Sequence, residues 1–125
     1  MDKTKKILIV EDEDSLINVL YDRFTKEGYS VIKASNGKQG LDEALSEHPN
    51  LILLDILLPI MDGITMLKEL RKYEQGKNID VILLTNLMDS QMVNTALSQG
   101  VNDYLVKSDW TLEDLVKLVN GKLNK

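Results

Sequence analysis

An α/β fold, a doubly wound five-stranded parallel sheet with five helices on both faces, follows from three features of the sequence. Ile7 to Val10, Leu51 to Leu54 and Val81 to Leu84 are uninterrupted aliphatic runs, the pattern of strands buried on both faces. The segments between such runs carry apolar residues at helical spacing. Each run also stops at polar residues: Glu11 to Asp14, Asp55, and Thr85 with Asn86. Strands alternating with helices, with no long linker, repeat or low-complexity segment, indicate one domain built from crossover units.

The elements follow in order. Lys5 to Val10 is the first strand, and Glu11 to Asp14 with Ser15 supply negative charge and capping oxygens to the start of a helix. Leu16, Leu20 and Phe24 form that helix's apolar stripe, Ile17 and Val19 widen it, and Gly28 ends it. Tyr29 to Ala34 is a short second strand and Asn36-Gly37 a turn. Leu41, Ala44 and Leu45 make the apolar face of a second helix that runs out at His48-Pro49. The strand Leu51 to Leu54 meets Asp55 at its end, and Pro59 and Asp62-Gly63 mark the loop beyond. Ile64, Leu67 and Leu70 stripe a third helix, Glu74 to Asn78 is a surface loop, and Val81 to Leu84 is the fourth strand. Met92, Val93, Ala96 and Leu97 fit one helical face ending at Gly100, and Tyr104 to Val106 is a last strand ending at Lys107. Leu112, Leu115, Val116 and Val119 give the closing helix, with Thr111 and Asp114 in capping-box spacing. Glu13 and Asp14 read as capping charges, His48 as a surface residue, and Trp110 and Met61, Met66, Met88 and Met92 as packing.

Composition narrows the function. The 125 residues, 43% hydrophobic and 28% charged, suit one soluble domain with a real core. Fifteen basic against twenty acidic residues give a net charge of -5, which disfavours nucleic acid and anionic membrane as partners. The chain has no cysteine, hence neither disulfides nor thiolate metal sites, in keeping with a reducing cytoplasm. The apolar run after MDKTKK is cut short by acidic residues, so it reads as a strand and not an export signal. No apolar run approaches the roughly 20 residues that span a bilayer.

Right-handed crossovers restrict the strand orders, and we take 2-1-3-4-5, the established flavodoxin-like order, with its switch point between strands one and three. Glu11 and Asp12, Asp55, Thr85 and Lys107 then converge on one rim. Three carboxylates brought together either hold protons or share a divalent cation, and oxygen-only ligands point to magnesium. With a lysine and a hydroxyl to take phosphoryl oxygens, Asp55 is placed as a carboxylate nucleophile, a phosphoryl-transfer site in outline.

These residues lie in four motifs, ILIVED, LLDILLPIMDG, LLTN and DYLVK, and over essentially its whole length the chain resembles a response-regulator receiver domain of the chemotaxis-regulator type. The resemblance implies Asp55 as phosphoacceptor and Mg2+ as cofactor. Asp12, Asp55 and the backbone carbonyl of Leu57 would ligate the ion, with Glu11 acting through a metal-bound water. It implies Thr85 and Lys107 as phosphoryl ligands, and Tyr104 as an aromatic that changes rotamer as Thr85 is drawn to the phosphate. The implied donor is a phosphohistidine on a sensor histidine kinase or phosphotransfer protein. The implied output is a downstream protein on the face of the fourth helix, fifth strand and fifth helix. On this reading residues 1–125 form a stand-alone receiver domain, core about 5–121, with no output domain, a monomer or weak phosphorylation-dependent dimer. It catalyses only its own phosphoryl transfer and dephosphorylation.

The sequence departs from the family pattern at three places. Glu11 replaces the commoner aspartate, and Asn86 a small residue. Ser108 replaces the proline after the lysine, where a cis bond would cost about 2.5 to 4 kcal/mol, so a trans bond is expected. Leu57 and Leu87 put apolar side chains where an attacking water would need orienting, which suggests slow self-dephosphorylation. The residues admit two other readings. Asp12, Glu13 and Asp14 resemble the first motif of haloacid-dehalogenase-type phosphatases, which would make Asp12 the nucleophile, and a receiver-like scaffold needs no phosphorylation. Neither G-x-G-x-x-G nor G-x-x-x-x-G-K-[ST] occurs.

Overall fold

The computed structural model describes residues 4–85, 90–101 and 103–123; the expectations for Asn86, Leu87 and Met88 lie outside them. Its elements alternate throughout: β1 Lys6–Val10, α1 Asp14–Lys26, β2 Ser30–Ala34, α2 Gly37–Glu47, β3 Leu51–Asp55, α3 Gly63–Arg71, β4 Asp80–Thr85, α4 Ser90–Ser98, β5 Asp103–Val106 and α5 Leu112–Lys122. The five strands form one parallel sheet in the order β2-β1-β3-β4-β5, as expected. All four pairings are parallel, with Ile7 opposite both Val31 and Leu51 and Leu83 opposite Tyr104.

Period-two alternation divides the strand residues between two cores. Leu8, Val10, Ile52, Leu54 and Leu83 pack with Leu41, Ala44, Met66, Leu67, Leu70 and Ala96, placing α2, α3 and α4 on one face. Ile7, Ile9, Leu51, Leu53 and Leu84 pack with Ile17, Leu20, Phe24, Leu115, Val116 and Val119, placing α1 and α5 on the other. Leu51 through Leu54 are all fully buried, which is why this strand shows no polar alternation. Burying each such side chain is worth about 1.5 to 3 kcal/mol, so the sheet tolerates costly polar groups at its rim.

Three local expectations are corrected. Asn36-Gly37 is not a free turn but the start of α2: the Asn36 side chain accepts from the Gln39 N–H at 2.8 Å, an N-cap bond. Val19 does not widen the α1 stripe, because the helix packs through Ile17, Leu20 and Phe24 and turns Val19 outward, 49% exposed. Leu97 is likewise 46% exposed, since α4 packs through Val93 and Ala96. The helix-ending glycines, the polar loop after α3 and the α5 capping box appear where the sequence places them.

Candidate functional site

The candidate site lies along the C-terminal edge of the sheet, where β1, β3, β4 and β5 end side by side. Glu11 directly follows β1, and its N–H continues the ladder by donating to the Ala34 carbonyl at 3.0 Å. Its side chain is buried, 1% exposed, and one carboxylate oxygen accepts from the Glu13 N–H at 3.0 Å. The acidic segment therefore serves the rim as much as the helix: Glu13 is the α1 N-cap residue, yet its own side chain makes no capping bond. Asp12 is exposed beside it.

Asp55 is the last residue of β3, 5% exposed, and Thr85 the last of β4, 1% exposed. Asp55 pairs in register with Leu84, so Thr85 stands one position further along the neighbouring strand. Lys107 follows β5, and its backbone N–H donates to the Thr85 carbonyl at 2.6 Å. The Lys107 ammonium donates to Glu11 Oε1 at 2.6 Å and to Asp55 Oδ2 at 3.2 Å. The Lys107-Ser108 bond is trans, and the turn is closed by the Asp109 N–H donating to the Val106 carbonyl at 2.8 Å. Proline is thus not required to deliver this lysine to the rim.

Burial sets the electrostatics. It pushes the Glu11 carboxyl above its ordinary range; the hydrogen bonds from Lys107 and the Glu13 amide oppose this without cancelling it. Burial also raises Asp55, against the charge and hydrogen bond of Lys107 and the amides of Ile56 and Leu57. For Lys107, burial works downward, but its bonds to the two carboxylates and their charge outweigh it and raise the ammonium pKa.

Oxygen atoms of Glu11, Asp12 and Asp55 all lie within 4.8 Å of one another. Among the described residues one ammonium, that of Lys107, is in direct contact with this group, at Glu11 and Asp55, leaving two uncompensated negative charges when all three carboxylates are ionised, the complement of one divalent cation. Oxygen-only donors, one of them exposed, fit a hard ion such as Mg2+.

A family model, that of the response regulator receiver domain, matches residues 7–120. The chain belongs to this family. Receiver domains are the phosphoryl-accepting modules of two-component response regulators. The chain is 38% identical to the sporulation initiation phosphotransferase F of Bacillus subtilis (strain 168), over 82% of each chain. It is 37% identical to the probable transcriptional regulator ycf27 of Porphyridium aerugineum, over 97% of this chain and 50% of that one. It spans about half the length of most of the curated relatives it matches, 42% in the PhoP regulator of Bacillus subtilis (strain 168). Among solved structures, the receiver domain of the sensor histidine kinase PA1611 from Pseudomonas aeruginosa PAO1 superposes with a TM-score of 0.84. That pair is 28% identical and covers 98% and 99% of the two chains, and the PA1611 domain holds a magnesium ion in its active-site cleft.

The structure therefore gathers Glu11, Asp12, Asp55, Thr85 and Lys107 on the rim of this receiver domain. Leu57 lies two residues beyond Asp55 with its side chain 51% exposed. Tyr104 is on β5, 39% exposed. It is paired with Leu83, two residues before Thr85 on β4, so Thr85 and Tyr104 project to the same face of the sheet. His48 caps the C-terminus of α2 at the opposite edge. Sequence reasoning missed Gly63, read only as part of a loop. Its N–H donates to the Ile56 carbonyl at 2.8 Å, and a Cβ there would lie 2.1 Å from the Asp55 carbonyl oxygen. The missing side chain is what lets α3 start directly against Asp55.

Proposed function

We propose that this receiver domain accepts a phosphoryl group on Asp55 from a phosphohistidine of a sensor histidine kinase or phosphotransfer protein. The observation that carries this reading is the buried Asp55 carboxylate at a strand end, hydrogen-bonded to Lys107 and grouped with Glu11 and Asp12. In the transfer an Asp55 oxygen forms the new O–P bond as the P–N bond of the donor breaks and its imidazole leaves. Asp12, Asp55 and the Leu57 carbonyl would hold Mg2+, with Glu11 reaching it through water. Bound there, the ion supplies positive charge to the phosphoryl oxygens. Lys107, already at Asp55, and the Thr85 hydroxyl take the remaining oxygens.

Thr85 and Tyr104 form the switch: as Thr85 is drawn to the phosphoryl group, Tyr104 changes rotamer and alters the face of α4, β5 and α5, where a downstream protein binds. The domain works in the cytoplasm, as a monomer or a weak phosphorylation-dependent dimer, and its catalysis is confined to its own phosphorylation and dephosphorylation. Among the described residues no helix is long and apolar enough to cross a membrane.

The test is intact mass after treatment with phosphoramidate, with and without Mg2+, on the parent, Asp55→Asn and Asp12→Asn. One phosphoryl group is expected, only with Mg2+ and only where Asp55 is present. Label that survives in Asp55→Asn but disappears in Asp12→Asn would move the nucleophile to Asp12 and overturn the reading.

A further inference from the structure

Lys107 has to keep its ammonium on Glu11 and Asp55, yet it sits in a loop after an edge strand of only four residues. Ser108 and Asp109 are exposed, and the bond between Lys107 and Ser108 is trans. Two main-chain hydrogen bonds, Lys107 to Thr85 and Asp109 to Val106, hold the near side of the turn. On the far side the capping box at Thr111 fixes the start of α5. Between these anchors Trp110 is the loop's one apolar side chain, and it packs against the α1 and α5 core cluster. Trp110 and Lys107 also line the same open cavity of about 390 Å³. The indole N–H is shielded from solvent and has no hydrogen-bond partner among the described residues. An orphaned donor is a cost that phenylalanine would avoid, so what the indole supplies here is apolar area and shape and not a hydrogen bond.

We propose that Trp110 is a positioning residue: its packing holds the turn that presents Lys107 to Asp55, in place of a proline after the lysine. This rests on the reading of Lys107 as a phosphoryl ligand. The experiment has one arm that needs no phosphorylation. The Lys107 side chain is 10% exposed and its ammonium is held between two carboxylates, so in 15N-labelled protein it is expected to give a slowly exchanging ammonium resonance, assigned by its loss in Lys107→Met. That resonance should persist in Trp110→Phe and vanish in Trp110→Ala while the sheet amides keep their folded positions. If Trp110→Ala unfolds, Trp110→Leu replaces it, keeping apolar volume but not the ring.

The second arm is the rate of phosphoramidate labelling with Mg2+. Lys107→Met is expected to slow it by about tenfold or more, Trp110→Ala by about fivefold or more, and Trp110→Phe by less than about twofold. The double variant Trp110→Ala, Lys107→Met should label within about twofold of Lys107→Met alone, because a positioning residue has nothing left to position. An ammonium resonance that survives in Trp110→Ala, or a double variant slowed by the product of the single effects, overturns the proposal. A parent that takes no label at all refutes the phosphoacceptor reading instead, and the ammonium arm still decides the part played by Trp110.

Discussion

Glu11, Asp55 and Lys107 place two negative charges and one positive charge in a buried space, and that imbalance governs how the site answers pH. Both carboxyls are raised above their ordinary values of 4.5 and 3.8, chiefly by burial, so the folded protein holds their protons more tightly than the unfolded chain. When ionised they therefore cost stability, and the cost fades as pH falls through the folded pKa and is gone below the unfolded one. Lys107 behaves oppositely: its contribution is full below 10.5 and is lost as pH rises through its raised folded pKa. Asp55→Asn removes one of the two like charges and leaves a balanced Glu11 and Lys107 pair. Its urea midpoint should exceed the parent's at pH 7, with the gap closing towards pH 3.8; a lower midpoint at pH 7 would mean that the Lys107 bond outweighs burial. Ile60 is a second residue at odds with its surroundings, β-branched, 83% exposed and left-handed at φ 69°. Ile60→Gly relieves about 1 to 2 kcal/mol of strain and loses about 0.5 to 1 kcal/mol to chain entropy, so a net gain of up to about 1.5 kcal/mol is expected in urea unfolding. Asp55 was legible because a charge directly after four buried aliphatics is conspicuous. The backbone handedness of Ile60 was not, since neither periodicity nor residue type encodes it, and Gly63 was hidden because Asp-Gly reads equally well as an ordinary turn.

At the scale of elements, the same short-range chemistry was read correctly at one helix and incorrectly at another. At α5 the Thr111 hydroxyl accepts from the Asp114 N–H at 3.1 Å, and the Asp114 carboxylate accepts from the Thr111 N–H at 3.0 Å, as the spacing of the two residues foretold. Thr111→Ala should cost about 1 kcal/mol in urea unfolding, with helix content kept, because Leu115, Val116 and Val119 still anchor α5 in the core. At α2 an Asn-Gly pair fits a turn and a helix start alike, and what decides is not local. A Cβ on Gly37 would lie 1.9 Å from the Met61 carbonyl oxygen, so the entry to α2 is fitted to the loop after β3. Contacts between segments distant in sequence leave no periodic trace. The width of an apolar stripe is similarly set by the neighbouring layer, which is why Val19 and Leu97 looked buried in the sequence and are not. The acidic start of α1 shows a third kind of ambiguity: Glu11 could cap a helix or serve the rim, and its carboxylate bonds both to the Glu13 amide and to Lys107.

For the whole molecule, strand order and the convergence of the rim residues followed from alternation, crossover handedness and a known topological precedent, and they match the structure. One consequence concerns stability. Because Glu11, Asp12 and Asp55 crowd together, a divalent ion that binds the folded state alone should stabilise it, by about 2.7 kcal/mol at a hundred times its Kd. The melting temperature should rise with added Mg2+ and respond much less in Asp12→Asn; an unmoved parent would refute the metal site. The parallel topology has another consequence. Ile7 pairs with Leu51 on the central strand, and the Glu11 and Lys107 side chains that meet at Asp55 are separated by 96 positions in the chain. A growing polypeptide therefore exposes Asp55 to the cell well before the residues of β5 leave the ribosome. Until they do, the aspartate has no ammonium beside it and no fourth wall to its pocket. The electrostatic setting of the Asp55 carboxylate is in this way completed last, by a residue near the end of the chain, and no shorter fragment can reproduce it.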